Sequence, residues 1–362
     1  MEEDEEKVKA LLSTNKKEID NLILNFLPQT HRAPEISKLY EMMRDYPSRG
    51  GKGLRGTLCI LWCEMFGGRM DTALITAASL ELFQNWILIH DDIEDGSDMR
   101  RGAPALHKKH GVEISINVGD ALHGKMWELL IKNGDLIGPE TAIKILSEFS
   151  NMLNETTEGQ QMELSWTVNN NWDIREEDYF LMVTKKSAWY TCISPARMGV
   201  ILASAERSPV IPRDVVGWEK DVLDRLISIG LDLGISFQII DDVLNLTADE
   251  SKYGKEILGD IYEGKRTLML IHLLEHADQT SRSKIVNFLS KKRDEKNDEG
   301  VQFVFEKMKE HGSIEYAREF ARKHSERALK QFDKLCADYK IKESEARVTT
   351  RSLLKYMTTR DY

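Results

Sequence analysis

Two stretches decide the reading of this chain. They are Trp86-Ile87-Leu88-Ile89-His90-Asp91-Asp92-Ile93-Glu94-Asp95 and Ile235-Ser236-Phe237-Gln238-Ile239-Ile240-Asp241-Asp242-Val243-Leu244-Asn245. Each sets acidic or amide residues at i, i+1 and i+4 behind an apolar run. On a helix, i and i+4 share a face. Carboxylates crowded at the end of an apolar helix are expensive to assemble unless a cation neutralises them. Two such helices facing each other across a cavity would hold hard divalent cations. Mg²⁺ suits this setting, because it takes few carboxylates per ion and completes its shell from a polyphosphate. One acidic i, i+4 pair is ordinarily a solvated helix face. Two of one design, each behind an apolar rather than an amphipathic run, point to metal-dependent diphosphate chemistry.

Around these stretches the periodicity is helical. Leu74, Ala77, Ala78, Leu82 and Trp86 recur near i+4, as do Ile143, Ile145, Phe149, Met152 and Leu153. Prolines number 8, and strand-like alternation is nearly absent. Breaks are expected at Gly67-Gly68, 96–104, Asn133-Gly134, 208–212 and 254–264. The run 291–300, rich in Lys, Asp and Glu, reads as a solvated connector without a binding role. Helix is expected again from Ile314 through Leu353. The fold class read from this is all-α, a bundle around a central cavity, with 1–362 as a single domain.

Composition narrows the class. Hydrophobic residues make up 41% of the 362 residues, enough for a buried core, and the net charge of −10 argues against nucleic acid as the main partner. Cys59, Cys63, Cys192 and Cys336 form no C-x-x-C pair and suit a reducing compartment. The acidic start, Met1-Glu2-Glu3-Asp4-Glu5-Glu6, is the opposite of a secretory n-region, and no apolar run is expected to reach spanning length. A cytoplasmic protein without a transmembrane segment is the expectation.

A diphosphate bound without metal needs basic groups. Arg49-Gly50-Gly51-Lys52-Gly53-Leu54-Arg55-Gly56 offers them, with glycines that let backbone approach a phosphate and with Lys52 and Arg55 three apart at a helix start. It is not a P-loop, since Gly53 follows Lys52 where Ser or Thr is required. Arg100-Arg101-Gly102 lies close enough to the first acidic stretch to fold over the same cavity. Lys186-Ser187 follows an apolar run, and Lys255 and Lys265 sit in a glycine-punctuated segment. His90 projects about 100° from Asp91 and reads as packing beside the site rather than as a ligand. No E-x-x-H is present, against a carboxylate di-iron bundle.

In this order the motifs resemble the trans-isoprenyl diphosphate synthases, the polyprenyl synthetase family of farnesyl and geranylgeranyl diphosphate synthases. The ordered set is Gly50-Gly51-Lys52-x-x-Arg55, Asp91-Asp92-x-x-Asp95 with Arg100-Arg101-Gly102, Lys186-Ser187, Phe237-Gln238-x-x-Asp241-Asp242, Lys255 and Gly264-Lys265. The resemblance implies the isoprenoid synthase type I fold, a large antiparallel helical bundle, and a homodimer. It implies three Mg²⁺ ions, with Mn²⁺ able to substitute, held by Asp91, Asp92, Asp95, Asp241 and Asp242. Arg100, Lys186, Ser187, Gln238, Lys255 and Lys265 would contact an allylic diphosphate, with Lys186 counted beside Asp91, Asp92, Asp241 and Asp242 in catalysis. Lys52, Arg55, Gln84 and Arg101 would hold isopentenyl diphosphate. Gly53 and Gly56 stand where Arg and Pro are frequent, Gln84 where His is common, Ser187-Ala188 for Thr-Gly, and Asn245 for a final Asp. None of these removes a group the chemistry requires.

The reaction so implied ionises the allylic carbon–oxygen bond, joins the cation to the double bond of isopentenyl diphosphate, and loses a proton to the released diphosphate. Two other readings stand beside it. A class I terpene cyclase would need Ser or Thr at Asn245 and no second diphosphate site; a non-catalytic partner subunit would not need five intact aspartates. For product length, the resemblance places a gate four to eight residues before Asp91, at Ile87, Trp86 and Phe83. An aromatic at the fifth position favours a twenty-carbon product, with fifteen carbons next.

Overall fold

The computed structural model describes residues 2–205, 217–248 and 257–359. Among them the chain is a large antiparallel helical bundle with almost no sheet. Helix α1 (Glu2–Phe26) and α2 (Pro34–Ser48) lead into α3 (Leu54–Met65) and α4 (Met70–Glu94). After a short α5 (Leu106–His110) come α6 (Val112–Ile137), α7 (Pro139–Val168) and α8 (Glu176–Val183). A π-helical stretch, Thr184–Ile193, runs straight into α9 (Ser194–Ala205). The long α10 (Trp218–Thr247) precedes the short α11 (Gly259–Glu263), α12 (Leu268–His276), α13 (Gln279–Leu289) and α14 (Asp298–Glu310). Helices α15 (Ser313–Asp338) and α16 (Glu345–Thr359) close the bundle.

The stops have local causes. Gly138 at φ +79° ends α6, and Pro139, whose missing N–H is no loss at a helix start, opens α7. The Asp278 and Asn297 side chains accept the first amides of α13 and α14. One element goes beyond the all-helical expectation. Met99–Arg100 pairs antiparallel with Ala103–Pro104 across Arg101 and Gly102, whose φ values of +52° and +73° give the turn that matches strand twist.

Two apolar cores flank the site. One gathers α1, α3, α4, α6, α7, α9 and the first half of α10 around Trp62, Phe66, Phe83 and Phe149; the other packs Ile239, Val243 and Leu246 of α10 against α12–α15. The central helices therefore run apolar on nearly all sides. Helix α4 is long and apolar enough to cross a bilayer, contrary to the expectation from the sequence, and 72% of its most apolar window is buried inside the fold.

Three further expectations change. Asn133-Gly134 is not a break: Asn133 is fully buried within α6 and its amide donates to Thr76 Oγ1 at 3.0 Å. The helix expected from Ile314 through Leu353 is two, α15 and α16. The connector 291–300 is not wholly solvated, since Lys296 is buried within it. The break at 208–212 and the part of the 254–264 segment that holds Lys255 lie outside the described residues.

Candidate active site

Helices α4 and α10 bring the two acidic stretches to one cavity of about 360 Å³. Asp91 and Asp95 line it from α4, and Asp241, Asp242 and Asn245 from α10. Asp91 and Asp95 stand one turn apart on a common face, as do Asp241 and Asn245, while Gln238 and Asp242 share another. Gln238 Nε2 donates to Asp242 Oδ1 at 2.8 Å, and the Tyr179 hydroxyl donates to Oδ2 at 2.9 Å. Ser187 Oγ donates to Gln238 Oε1 at 2.7 Å, so the π-helical stretch and α10 are tied together beside the acid pair.

Asp92 departs from its expected place. It is 0% exposed and does not face the cavity with Asp91; Arg100 Nε donates to its Oδ1 at 2.8 Å, Arg100 Nη2 bonds it as well, and the Tyr46 hydroxyl donates to Oδ2 at 2.5 Å. A residue adjacent to Asp91 points about 100° away around the helix, so Asp92 meets the hairpin instead of the cavity. Its carboxylate holds Arg100 in place. It is paired with Arg100 and is not among the acids that line the cavity.

Two lysines cross to the acids. Lys186 Nζ lies 3.5 Å from Asp91 Oδ1 and pairs with Glu163; Lys265 Nζ lies 2.8 Å from both Asp95 Oδ2 and Glu263 Oε2. Burial opposes their charge, but Glu163 and Asp91 hold Lys186 protonated, and Asp95 and Glu263 do the same for Lys265, both well above the usual lysine range. Burial pushes the Asp95 carboxyl up to about 7 against the pull of Lys265, and Asp91 and Glu263 add to the rise. Burial likewise takes Asp242 to about 7, with Asp241 and Glu163 close by. This wall thus carries more buried carboxylate than its lysines neutralise, the condition a hard dication relieves. Among the described residues no three His, Cys, Asp or Glu converge on one metal position. The arrangement fits ions whose shell a bound diphosphate completes.

The opposite wall is basic. Lys52, Arg55, Arg100 and Arg101 line the cavity with Gln84. The Arg55 guanidinium lies 4.3 Å above the Tyr190 ring, with Nη2 donating to Thr191 Oγ1 at 2.9 Å, and its buried Nε makes no hydrogen bond among the described residues. Gln84 Oε1 likewise has no partner among the described residues. Arg101, at positive φ, is anchored by Nη1 to the Tyr46 carbonyl at 2.8 Å and to Asn85 Oδ1 at 3.1 Å. Burial, reinforced by Arg100 and Arg55, lowers its affinity for a proton despite Glu81.

Sequence reasoning missed Glu81, Glu163, Glu263, Tyr46, Tyr179 and Tyr190. Glu81 is the informative case: one oxygen accepts the backbone amides of Arg55 at 3.1 Å and Gly56 at 3.0 Å, which fixes the start of α3. A signal existed, since Glu81 precedes Asn85 by one turn on an otherwise apolar helix. Of the gate residues, Phe83 is 1% exposed and Trp86 stacks on His123 at 4.1 Å. The cavity is lined by Leu88 and Tyr190, with Phe83 behind the Tyr190 ring at 6.0 Å. Phe83 and Trp86 thus lie beyond the cavity wall, and Ile87, partly buried, does not line the cavity.

Comparison with known proteins agrees with this geometry. A family model described as polyprenyl synthetase matches residues 36–308. A geranylgeranyl diphosphate synthase of Saccharolobus solfataricus is 34% identical over 294 residues, covering 81% of this chain and 83% of that protein. A geranylfarnesyl diphosphate synthase of Natronomonas pharaonis is 30% identical over 342 residues, covering 90% and 91%. The crystal structure of a geranylgeranyl pyrophosphate synthetase from Pyrococcus horikoshii superposes with a TM-score of 0.82 at 30% identity, covering 98% and 99%.

Proposed function

The chain belongs to the polyprenyl synthetase family, and from that premise we propose that it joins isopentenyl diphosphate to an allylic diphosphate until a twenty-carbon trans-prenyl diphosphate results. It is a prenyltransferase, a short-chain prenyl diphosphate synthase. The observation that carries the reading is one cavity with an acidic wall from α4 and α10 and a basic wall from α3 and the Arg100-Arg101 hairpin.

Mg²⁺ fits the acidic wall, where Asp91 and Asp95 on one side and Asp241 and Asp242 on the other would hold three ions. When bound, the metal supplies positive charge that stabilises the departing diphosphate. Lys186 and Lys265, kept charged by their carboxylates, meet the same diphosphate and lower the barrier to breaking the allylic carbon–oxygen bond. Lys52, Arg55 and Arg101 take the second diphosphate, with the free Arg55 Nε as a ready donor, and so set the isopentenyl double bond beside the allylic carbon. Leu88, Met182, Tyr190 and Phe237 give the cavity its apolar part and keep water from the cation. Tyr46 and Tyr179 are held protonated by burial beside Asp92 and Asp242, so neither serves as base, and the released diphosphate takes the proton.

The twenty-carbon product is supported by the aromatic pair Phe83 and Trp86 behind the cavity and by the geranylgeranyl names of the Saccharolobus and Pyrococcus relatives, while the geranylfarnesyl name of the Natronomonas relative points one isoprene unit longer. A homodimer is part of the proposal, supported by the exposed Val112, Ile114 and Ile116 on α6; so is a cytoplasmic location, supported by four buried free cysteines. Incubating the purified protein with Mg²⁺, isopentenyl diphosphate and, in turn, dimethylallyl, geranyl and farnesyl diphosphates tests it. The expected outcome is a geranylgeranyl chain from all three primers. No condensation with any of them would sink the reading.

A further inference from the structure

We propose that Lys296, in the connector between α13 and α14, is a positioning residue for Lys265. The proposal rests on reading Lys265 as a contact to the allylic diphosphate. Lys296 is only 8% exposed, although its neighbours in sequence are almost all charged and solvated. Its ammonium donates to the Tyr262 carbonyl at 2.6 Å and the Ile261 carbonyl at 3.4 Å. These belong to the last turn of α11, whose closing carbonyls have no partner within the helix and attract positive charge.

The next residue explains the arrangement. Gly264 ends α11 at φ +74°, and a Cβ built there would stand 3.2 Å from Lys296 Nζ. Glycine is thus required twice, for its backbone and for the space the ammonium fills. Lys265 follows directly, leaves the turn with its amide on the Asp260 carbonyl at 2.9 Å, and reaches Asp95 and Glu263. The connector and the start of α14 are clamped to α11 as well: Arg293 Nη1 is 3.4 Å from Glu263 Oε1, and the Tyr262 hydroxyl donates to Asp298 Oδ1 at 2.5 Å. Asn245 Oδ1 accepts the Asp260 amide at 3.1 Å at the opposite end. Helix α11 is therefore held between α10 and the connector, with Lys296 under the turn that aims Lys265.

Stability alone does not account for this lysine. Burial, with Arg266 and Arg293 nearby, works against its charge and takes it down to about 8. A buried ammonium beside two guanidiniums, which the one nearby carboxylate, Glu263, does not offset, is a costly way to fill a gap that an apolar side chain would fill. Replacing it by methionine, of similar length, separates the two roles.

In steady-state kinetics, Lys296→Met is expected to raise the KM for the allylic diphosphate about tenfold, the scale of one lost charge-assisted contact, and to leave that for isopentenyl diphosphate unchanged. Gly264→Ala, which pushes against the same ammonium, is expected to give the same split. Hydrogen exchange of amides 259–265, read without substrate, is expected to quicken in both variants while the thermal midpoint stays within a few degrees. Unchanged exchange and an unchanged allylic KM, or equal rises in both KM values, would overturn the proposal. Lys265→Met runs beside them: if it spares the allylic KM, the reading of Lys265 fails, and the exchange of 259–265 still decides whether Lys296 holds the turn.

Discussion

Arg100 and Asp92 meet in a two-armed, buried pair at the edge of the cavity, with Arg100 Nε 2.8 Å from Asp92 Oδ1 and Nη2 on the same oxygen. The pair divides two adjacent aspartates between chemistry and architecture. Asp91→Ala and Asp241→Ala are expected to cut turnover about 100-fold or more with helical circular dichroism unchanged. Asp92→Ala should instead lower stability by about 3–5 kcal/mol, because Arg100 stays behind as an uncompensated buried charge. Thermal melts beside the kinetics check this. A wild-type melting profile in Asp92→Ala would contradict it.

The basic wall should act on one substrate. Lys52→Ala and Arg55→Ala each remove a contact of about 1.5–3 kcal/mol and are expected to raise the KM for isopentenyl diphosphate tenfold or more. Arg55→Lys should recover little, since a lysine does not reproduce the planar stack on Tyr190 with its bond to Thr191. A rise confined to the allylic KM would reverse the placement of the two diphosphates.

Asp95 gives a pH dependence. In the unfolded chain its carboxyl ionises near pH 4, whereas in the fold burial holds the proton until about 7. Between these values the unfolded state binds fewer protons, so stability is lost as pH rises through the window. Asp95→Asn, which mimics the protonated form, removes that loss. With chelator present, the variant and the parent should melt together below pH 4, and the variant should melt several degrees higher at pH 7 and above. A gap constant across pH 4–7 would refute the assignment.

Product length should respond at the layer behind Tyr190. The Phe83 and Trp86 rings meet edge to face at 5.4 Å, so either one alone still backs the wall. Trp86→Ala is expected to lengthen the product weakly, and the Phe83→Ala, Trp86→Ala double variant by at least one isoprene unit. Chromatographic sizing of dephosphorylated products reads this directly. An unchanged distribution in the double variant would put the floor on another helix.

Helical periodicity, the two acidic stretches and the order of the basic motifs were legible in the chain, because spacing along a helix fixes which side chains share a face. The same rule bears on Asp92. Applied to His90, one residue before Asp91, it set that side chain beside the site; applied one residue later, it would have turned Asp92 away from the cavity. What stands opposite a face is not written in its spacing. That Glu163 meets Lys186, that Glu81 holds the start of α3, and that Lys296 reaches under Gly264 all join residues more than twenty positions apart. Such pairings are settled when helices pack, since the cost of an unpaired buried charge or carbonyl is felt only once water has been excluded around it.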